Sequence, residues 1–218
     1  MSERRYSRRA PFRVAKEEVL VVCGGQTEQI YFNAFKQVFR PSLGNVIVVT
    51  AVAAKHPMQI VEYAIKAKQR KDSYNVIWCV FDKDDFKDFD VAITFAQRNN
   101  IGVAFSNQAF EVWFINHRRL LDSAMHRNKY MDELSKLLAF QYDKSKNTIA
   151  KVCDTLLTEE QVKTAIANAR LGYERHMTES VPTKPSAFES CTTVYLLAKS
   201  LLNWSELKVS STATACGW

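Results

Sequence analysis

Four short runs in this chain are apolar throughout: "VLVVC" at residues 19–23, "VIVV" at 46–49, "VIWCVF" at 76–81 and "IGVAF" at 101–105. A strand that faces solvent on one side alternates apolar and polar residues. A continuous apolar run belongs to a strand covered on both faces. Between these runs lie helical patterns. "EQIYFNAFKQVF" carries Ile30, Phe32, Phe35, Val38 and Phe39 near helical spacing, with Thr27 in position to cap it. "HPMQIVEYAIKAKQR" has Pro57 in its first turn, where a missing N–H costs nothing. "DFDVAITFAQRNN" is a third helix, ending near Asn99 and Asn100. Buried strands alternating with amphipathic helices predict a mainly parallel α/β sheet over residues 17–107, flanked by helices through right-handed crossovers.

Ligands of such sheets bind beyond the carboxyl ends of the strands. The residues there are Gly24 and Gly25, then Asp82 to Asp85, then Ser106 and Asn107. After residue 107 the chain turns helical: "QAFEVWFINHRRLL", "NKYMDELSKLLAF", "NTIAKVCDTLL", "TEEQVKTAIANARLGYERHM" and "CTTVYLLAKSLLNW". A helical elaboration over 108–204, packed on the core, is therefore expected, followed by a frayed tail at 205–218.

Charge is uneven. Residues 1–16, "MSERRYSRRAPFRVAK", hold six basic residues against one acid, a net +5 of the chain's +7. Such a flexible arm either binds phosphate backbones through counterion release or keeps the chain dispersed. The near-balanced remainder is no generic nucleic-acid binder, so any contact there needs a local site. No apolar run reaches the roughly 20 residues of a membrane span, and the basic N-terminus lacks the apolar stretch of a secretory signal. Cys23, Cys79, Cys153, Cys191 and Cys216 show neither CxxC nor metal spacing, which fits buried, reduced thiols in a cytoplasmic protein. His56, His117, His126 and His176 have no H-x-x-x-H spacing, which argues against a catalytic zinc.

"FDKDDF" is the strongest chemical signal. Asp82 and Asp84 form D-x-D where a buried strand ends, and Asp85 follows. Carboxylates on such an exit turn suit a hard divalent cation, which takes oxygen ligands. Equally, acids there cap the next helix, and Asp85 suits that role. "GGQTEQ" has no Walker lysine and no third glycine, so a plain strand-to-helix turn is its simplest reading. Glu28 falls in the first turn of the following helix, where an acid is favoured by the dipole alone. In "SNQAFEVWF", Glu111 among apolar neighbours is either a surface stripe or an acid directed into a site.

Together, "VLVVCGGQTEQIYFNAF", "IWCVFDKDDF", "SNQAFEVWF" and "SCTTVYLLAKSLL" resemble, in the right order over residues 17–203, the RloB-like proteins, a branch related to TOPRIM domains. The resemblance implies a TOPRIM-like α/β sheet and Mg²⁺-dependent (or Mn²⁺-dependent) phosphodiester chemistry. It also implies a role in bacterial restriction or anti-phage loci, commonly beside an ABC/AAA-type ATPase, with tRNA, other RNA or DNA as substrate. A homodimer is a further open expectation. The family's first motif reads C-E-G-x-T-E, and its first Glu is the expected metal ligand or general acid/base. This chain has Gly24 at that position, in "CGGQTE", and glycine offers no carboxylate and no proton-transfer group.

The resemblance makes Asp82 and Asp84 the metal ligands, with Asp85 beside them and Glu111, matching F-E-x-W, as a further ligand. Lys144, in "QYDKSK", and Lys184, in "PTKPS", are candidates for contacting phosphate, against the default of solvated lysines. Three accounts of Gly24 stand: an inactivated form of a toxic nuclease, a natural non-catalytic member, or a site into which Glu28 reaches instead. A non-enzymatic interaction module, with the acids as caps and the helical half docking an ATPase, is the competing class.

Overall fold

The computed structural model describes residues 18–40, 47–53, 56–121, 123–178 and 184–203. The arm at 1–16, the tail at 205–218, Trp204 and Cys216 lie outside them. Four strands, β1 (Glu18–Cys23), β2 (Ile47–Ala51), β3 (Tyr74–Asp82) and β4 (Gly102–Ser106), form one sheet in the order β2-β1-β3-β4. Every pairing between these strands is parallel. Val19, Val21, Val22, Cys79, Ala104 and Phe105 are fully buried, as strands covered on both faces require.

α1 (Gln26–Phe39), α2 (Pro57–Arg70) and α3 (Phe89–Arg98) are the crossover helices. Because β2 lies to one side of β1 and β3 to the other, right-handed connections send α1 to one face and α2 with α3 to the opposite face. The same reversal of direction opens a crevice between the ends of β1 and β3. Their ends are in register, Cys23 opposite Val80, and the Gly24 N–H donates to the Val80 carbonyl at 2.8 Å.

The helical elaboration comprises α4 (Glu111–Asn116), α5 (Tyr130–Leu138), α6 (Lys146–Leu156), α7 (Glu159–Met177) and α8 (Val194–Leu202). α6 packs on α1, and α8 packs on β4. The helix expected over 108–121 is much shorter, ending at Asn116, where the His117 and Arg118 N–H groups bond back to Phe114 and Ile115. Trp113 and Phe114 are fully buried, and Trp78 is nearly so, which makes them core residues.

The "CTT" of the late motif protects the sheet edge. Thr192 bridges antiparallel to Ser106, and the Thr193 N–H donates to Phe105 O at 2.8 Å. The Thr193 hydroxyl accepts the Phe105 N–H at 2.9 Å. These bonds satisfy backbone groups that an uncovered edge would leave open. The described cysteines, Cys23, Cys79, Cys153 and Cys191, are buried and free. Among the described residues no helix is long and apolar enough to cross a membrane.

Candidate functional site

The turn after β1 builds one wall of the site. Thr27 was expected to cap α1, but the helix starts two residues earlier than that cap implies, at Gln26, with Gly25 in the cap position and no side-chain cap. Glu28 occupies the space over this turn. Its carboxylate folds back over the turn, so a Cβ on Gly25 would stand 2.7 Å from Glu28 Oε2. Its own backbone N–H, one of the donors that the start of a helix leaves open, favours the charged carboxylate. Glu28 is only 5% exposed, so this acid points inward rather than into solvent.

β3 delivers the second wall. Asp82 Oδ2 accepts the Phe110 N–H at 3.0 Å, which fixes the approach of α4 to the strand end. Asp82 Oδ1 is buried and has no hydrogen-bond partner. Burial, followed by the neighbouring Glu28, Glu111 and Asp84, pushes the Asp82 carboxyl well above the usual carboxylate range. Burial also raises Glu28, to about 7; Glu111 and Asp84 add to the shift, while its own N–H and Lys144 oppose it. Each acid therefore feels the others.

Glu111, at the start of α4, is 2% exposed, so it is a directed acid and not part of a surface stripe. It accepts the Tyr142 hydroxyl at 2.8 Å and pairs with Lys144 Nζ at 3.0 Å. Both partners come from the loop between α5 and α6, so the helical half completes the site. Asp84 stands with φ +40° and pairs with Arg127. Asp85 is 91% exposed and also meets Arg127, at 3.1 Å. It does not cap α3: Asp88 stands at that helix's N-cap position, and its side chain makes no cap bond there. Asp88 in fact caps a different helix. Its Oδ2 accepts the Met58 N–H of α2 at 3.0 Å and the His56 Nδ1 at 2.8 Å.

Gly24, Gly25, Glu28, His56, Ile60, Asp82, Asp84, Glu111 and Lys144 line one cavity of about 250 Å³ at the strand ends. Lys184 is elsewhere. It lines a separate cavity of about 810 Å³ over α2 and α3, with Asp90 and Phe95. Sequence reasoning did not single out His56, Tyr142, Asp88 or Arg127 for the site. His56 follows the second strand and precedes the Pro57 helix start, so the strand-end rule would have found it. Tyr142 and Arg127 arrive from distant loops and carry no local signal.

The donor chemistry suits a hard cation: carboxylate oxygens, one of them buried and unpartnered. Among the described residues, no group of three or more His, Cys, Asp or Glu side chains is arranged to hold a metal ion. A Mg²⁺ ion needs only one or two carboxylates and keeps its other positions for water and phosphate. Asp82, with Glu28 beside it, meets that requirement.

The glycine at position 24 is not demanded by its backbone, since no glycine among the described residues has a positive φ. A Cβ there would lie 2.7 Å from Ile60 Cδ1, the mobile tip of a side chain, and 3.4 Å from Val80 O. The position accepts a side chain at modest cost. A search of curated proteins found no match. The family model described as RloB-like protein matches residues 19–201, which spans the sheet, the acid cavity and α8 almost to its end. The chain belongs to the RloB-like protein family.

Proposed function

We propose that this protein is a divalent-cation-dependent phosphodiesterase of TOPRIM type, a nuclease effector of a bacterial anti-phage system working with an ABC/AAA-type ATPase, and that Gly24 impairs its catalysis. The observation that carries this reading is the buried, unpartnered Oδ1 of Asp82, a residue that lines one cavity with Glu28, Asp84 and Glu111. An oxygen so placed costs free energy unless it serves a ligand.

Asp82 and Glu28 would hold Mg²⁺ or Mn²⁺, and Asp84, at the rim of the same cavity, would turn to the cation once it is bound. The cation, when bound, would supply charge neutralisation at phosphate and an activated water. This chain's own residues would do the rest. Glu111, held by Tyr142 and Lys144, would fix the lysine at the cavity, where its charge can meet a phosphate oxygen. His56, oriented by Asp88 through Nδ1, would present Nε2 to a proton at the reacting oxygen. The missing element is an acid at position 24, which the backbone would accept.

The test compares the chain with its Gly24→Glu variant for Mg²⁺- or Mn²⁺-dependent cleavage of tRNA and DNA, and for toxicity on expression. Cleavage gained by the variant, and lost again on adding Asp82→Asn, is the expected result. No cleavage by either form, even with an ABC/AAA-type ATPase partner added, would favour a second reading. In that reading the chain is a non-catalytic interaction or nucleic-acid-binding subunit of the same defence complex, and the absent carboxylate at Gly24 is what favours it.

A further inference from the structure

Two of the four cavity acids carry a basic partner, and the two pairs differ in kind. Glu111 is buried, so removing Lys144 would strand an uncompensated charge. Asp84 is 41% exposed and Asp85 is 91% exposed, so water can replace Arg127 on both. Arg127 is the releasable cation of the site.

Its position is nonetheless firmly set. The Arg127 N–H donates to Gln108 Oε1 at 2.7 Å, and the Met125 N–H donates to Ser190 Oγ at 3.0 Å. Gln108 and Ser190, like Asp84 itself, adopt positive φ, at +72°, +53° and +40°. Left-handed backbone at three non-glycine residues is costly and persists only where the surrounding structure over-determines it. An ion pair this exposed returns little stability. Stability alone does not account for the arrangement.

A guanidinium spans two carboxylates with the same planar fork that it offers to two phosphate oxygens. Resting on the divalent-cation reading of the cavity, we propose that Arg127 is a parked phosphate ligand. It neutralises Asp84 until a cation takes that carboxylate, then turns to a backbone phosphate of the bound nucleic acid. Cation and nucleic acid thereby bind with positive coupling, because each releases Arg127 for the other.

The experiment uses the full chain, Arg127→Met, Arg127→Lys and Asp82→Asn. Mn²⁺ binding is followed by electron paramagnetic resonance. Binding of fluorescent single-stranded RNA and duplex DNA is followed by anisotropy, with and without Mn²⁺. Arg127→Met is expected to bind Mn²⁺ about fivefold more tightly, since an exposed competing cation has gone. With Mn²⁺ present it should bind nucleic acid more weakly, with a salt slope reduced by about one phosphate contact. Without Mn²⁺ it should match the parent, and Arg127→Lys should keep the parent's salt slope. Whichever oligonucleotide shows the effect identifies the source of the phosphate.

Unchanged Mn²⁺ affinity in Arg127→Met, with binding abolished in Asp82→Asn, overturns the parked ligand and leaves the cation site standing. Nucleic-acid affinity that is equal in parent and Arg127→Met with Mn²⁺, or absent in the parent, also overturns it. A parent that binds no Mn²⁺ overturns the cation site and this inference together.

Discussion

The tip of Ile60 lies where a side chain on Gly24 would begin: a Cβ built there meets Ile60 Cδ1 at 2.7 Å. Ile60 comes from α2, and its packing fills the space a side chain at position 24 would enter. Gly24→Ala should therefore cost about 1 kcal/mol through overpacking. Ile60→Val, which removes the clashing methyl, should cost about 1 kcal/mol alone. The double variant should cost less than the two together, by about 0.5 kcal/mol or more. Urea unfolding of all four proteins measures the coupling; strict additivity would show that the two positions do not meet.

Asp82→Asn should stabilise the protein while removing its cation response. The amide still offers an oxygen to the Phe110 N–H, and it no longer adds a charge beside Glu28, Glu111 and Asp84. A gain of about 1 kcal/mol is expected at neutral pH. Saturating Mn²⁺ should raise Tm by about 5–10 °C in the parent and leave the variant unmoved. An equal rise in both would remove Asp82 from the site.

Thr193 is fully buried and its hydroxyl accepts the Phe105 N–H of β4. Thr193→Val keeps the shape and leaves that N–H without its acceptor. The expected loss is about 2 kcal/mol, a fall in Tm of about 4–8 °C. Thr193→Ser, which keeps the hydroxyl, should retain most of the stability. A valine variant as stable as the parent would show that the edge of β4 does not depend on this bond.

His117 gives the fold an acid-sensitive point away from the cavity. Its Nδ1–H donates to Trp113 O at 2.9 Å, so its Nε2 accepts the Tyr31 hydroxyl at 3.2 Å. Burial holds the ring down at about 4, against 6.5 for an ordinary histidine. Above pH 6.5 both folded and unfolded chains carry a neutral ring. Between 6.5 and 4 only the unfolded chain takes the proton, so stability falls as pH falls. Unfolding at pH 7.5 and pH 5 should show about 2 kcal/mol of loss from this group. His117→Gln should be less stable at pH 7.5 and should show a pH dependence smaller by that amount.

The sheet was legible because its cause is local. Continuous apolar runs such as Val76–Phe81 admit only strands covered on both faces, and Pro57 marks where a helix begins. The acids at the strand ends were legible for the same reason, since the ends of such strands form the crevice of the fold. Local cues misplaced what depends on distant partners. Thr27 looks like a cap until Glu28 folds back over Gly25. Asp85 looks like a cap but stands exposed and pairs with Arg127, and Asp88 serves a helix other than its own.

By itself, the sequence determined a parallel α/β core with carboxylates at its strand ends and a glycine at the end of its first strand. Only the tertiary structure decided which acids are buried together, which cation each one meets, and that Lys184 belongs to another cavity. The physical reason is range. Apolar periodicity acts over a few residues, whereas the partners of Asp82, Glu111 and Asp84 are Phe110, Tyr142, Lys144 and Arg127, brought in from 28 to 43 positions away.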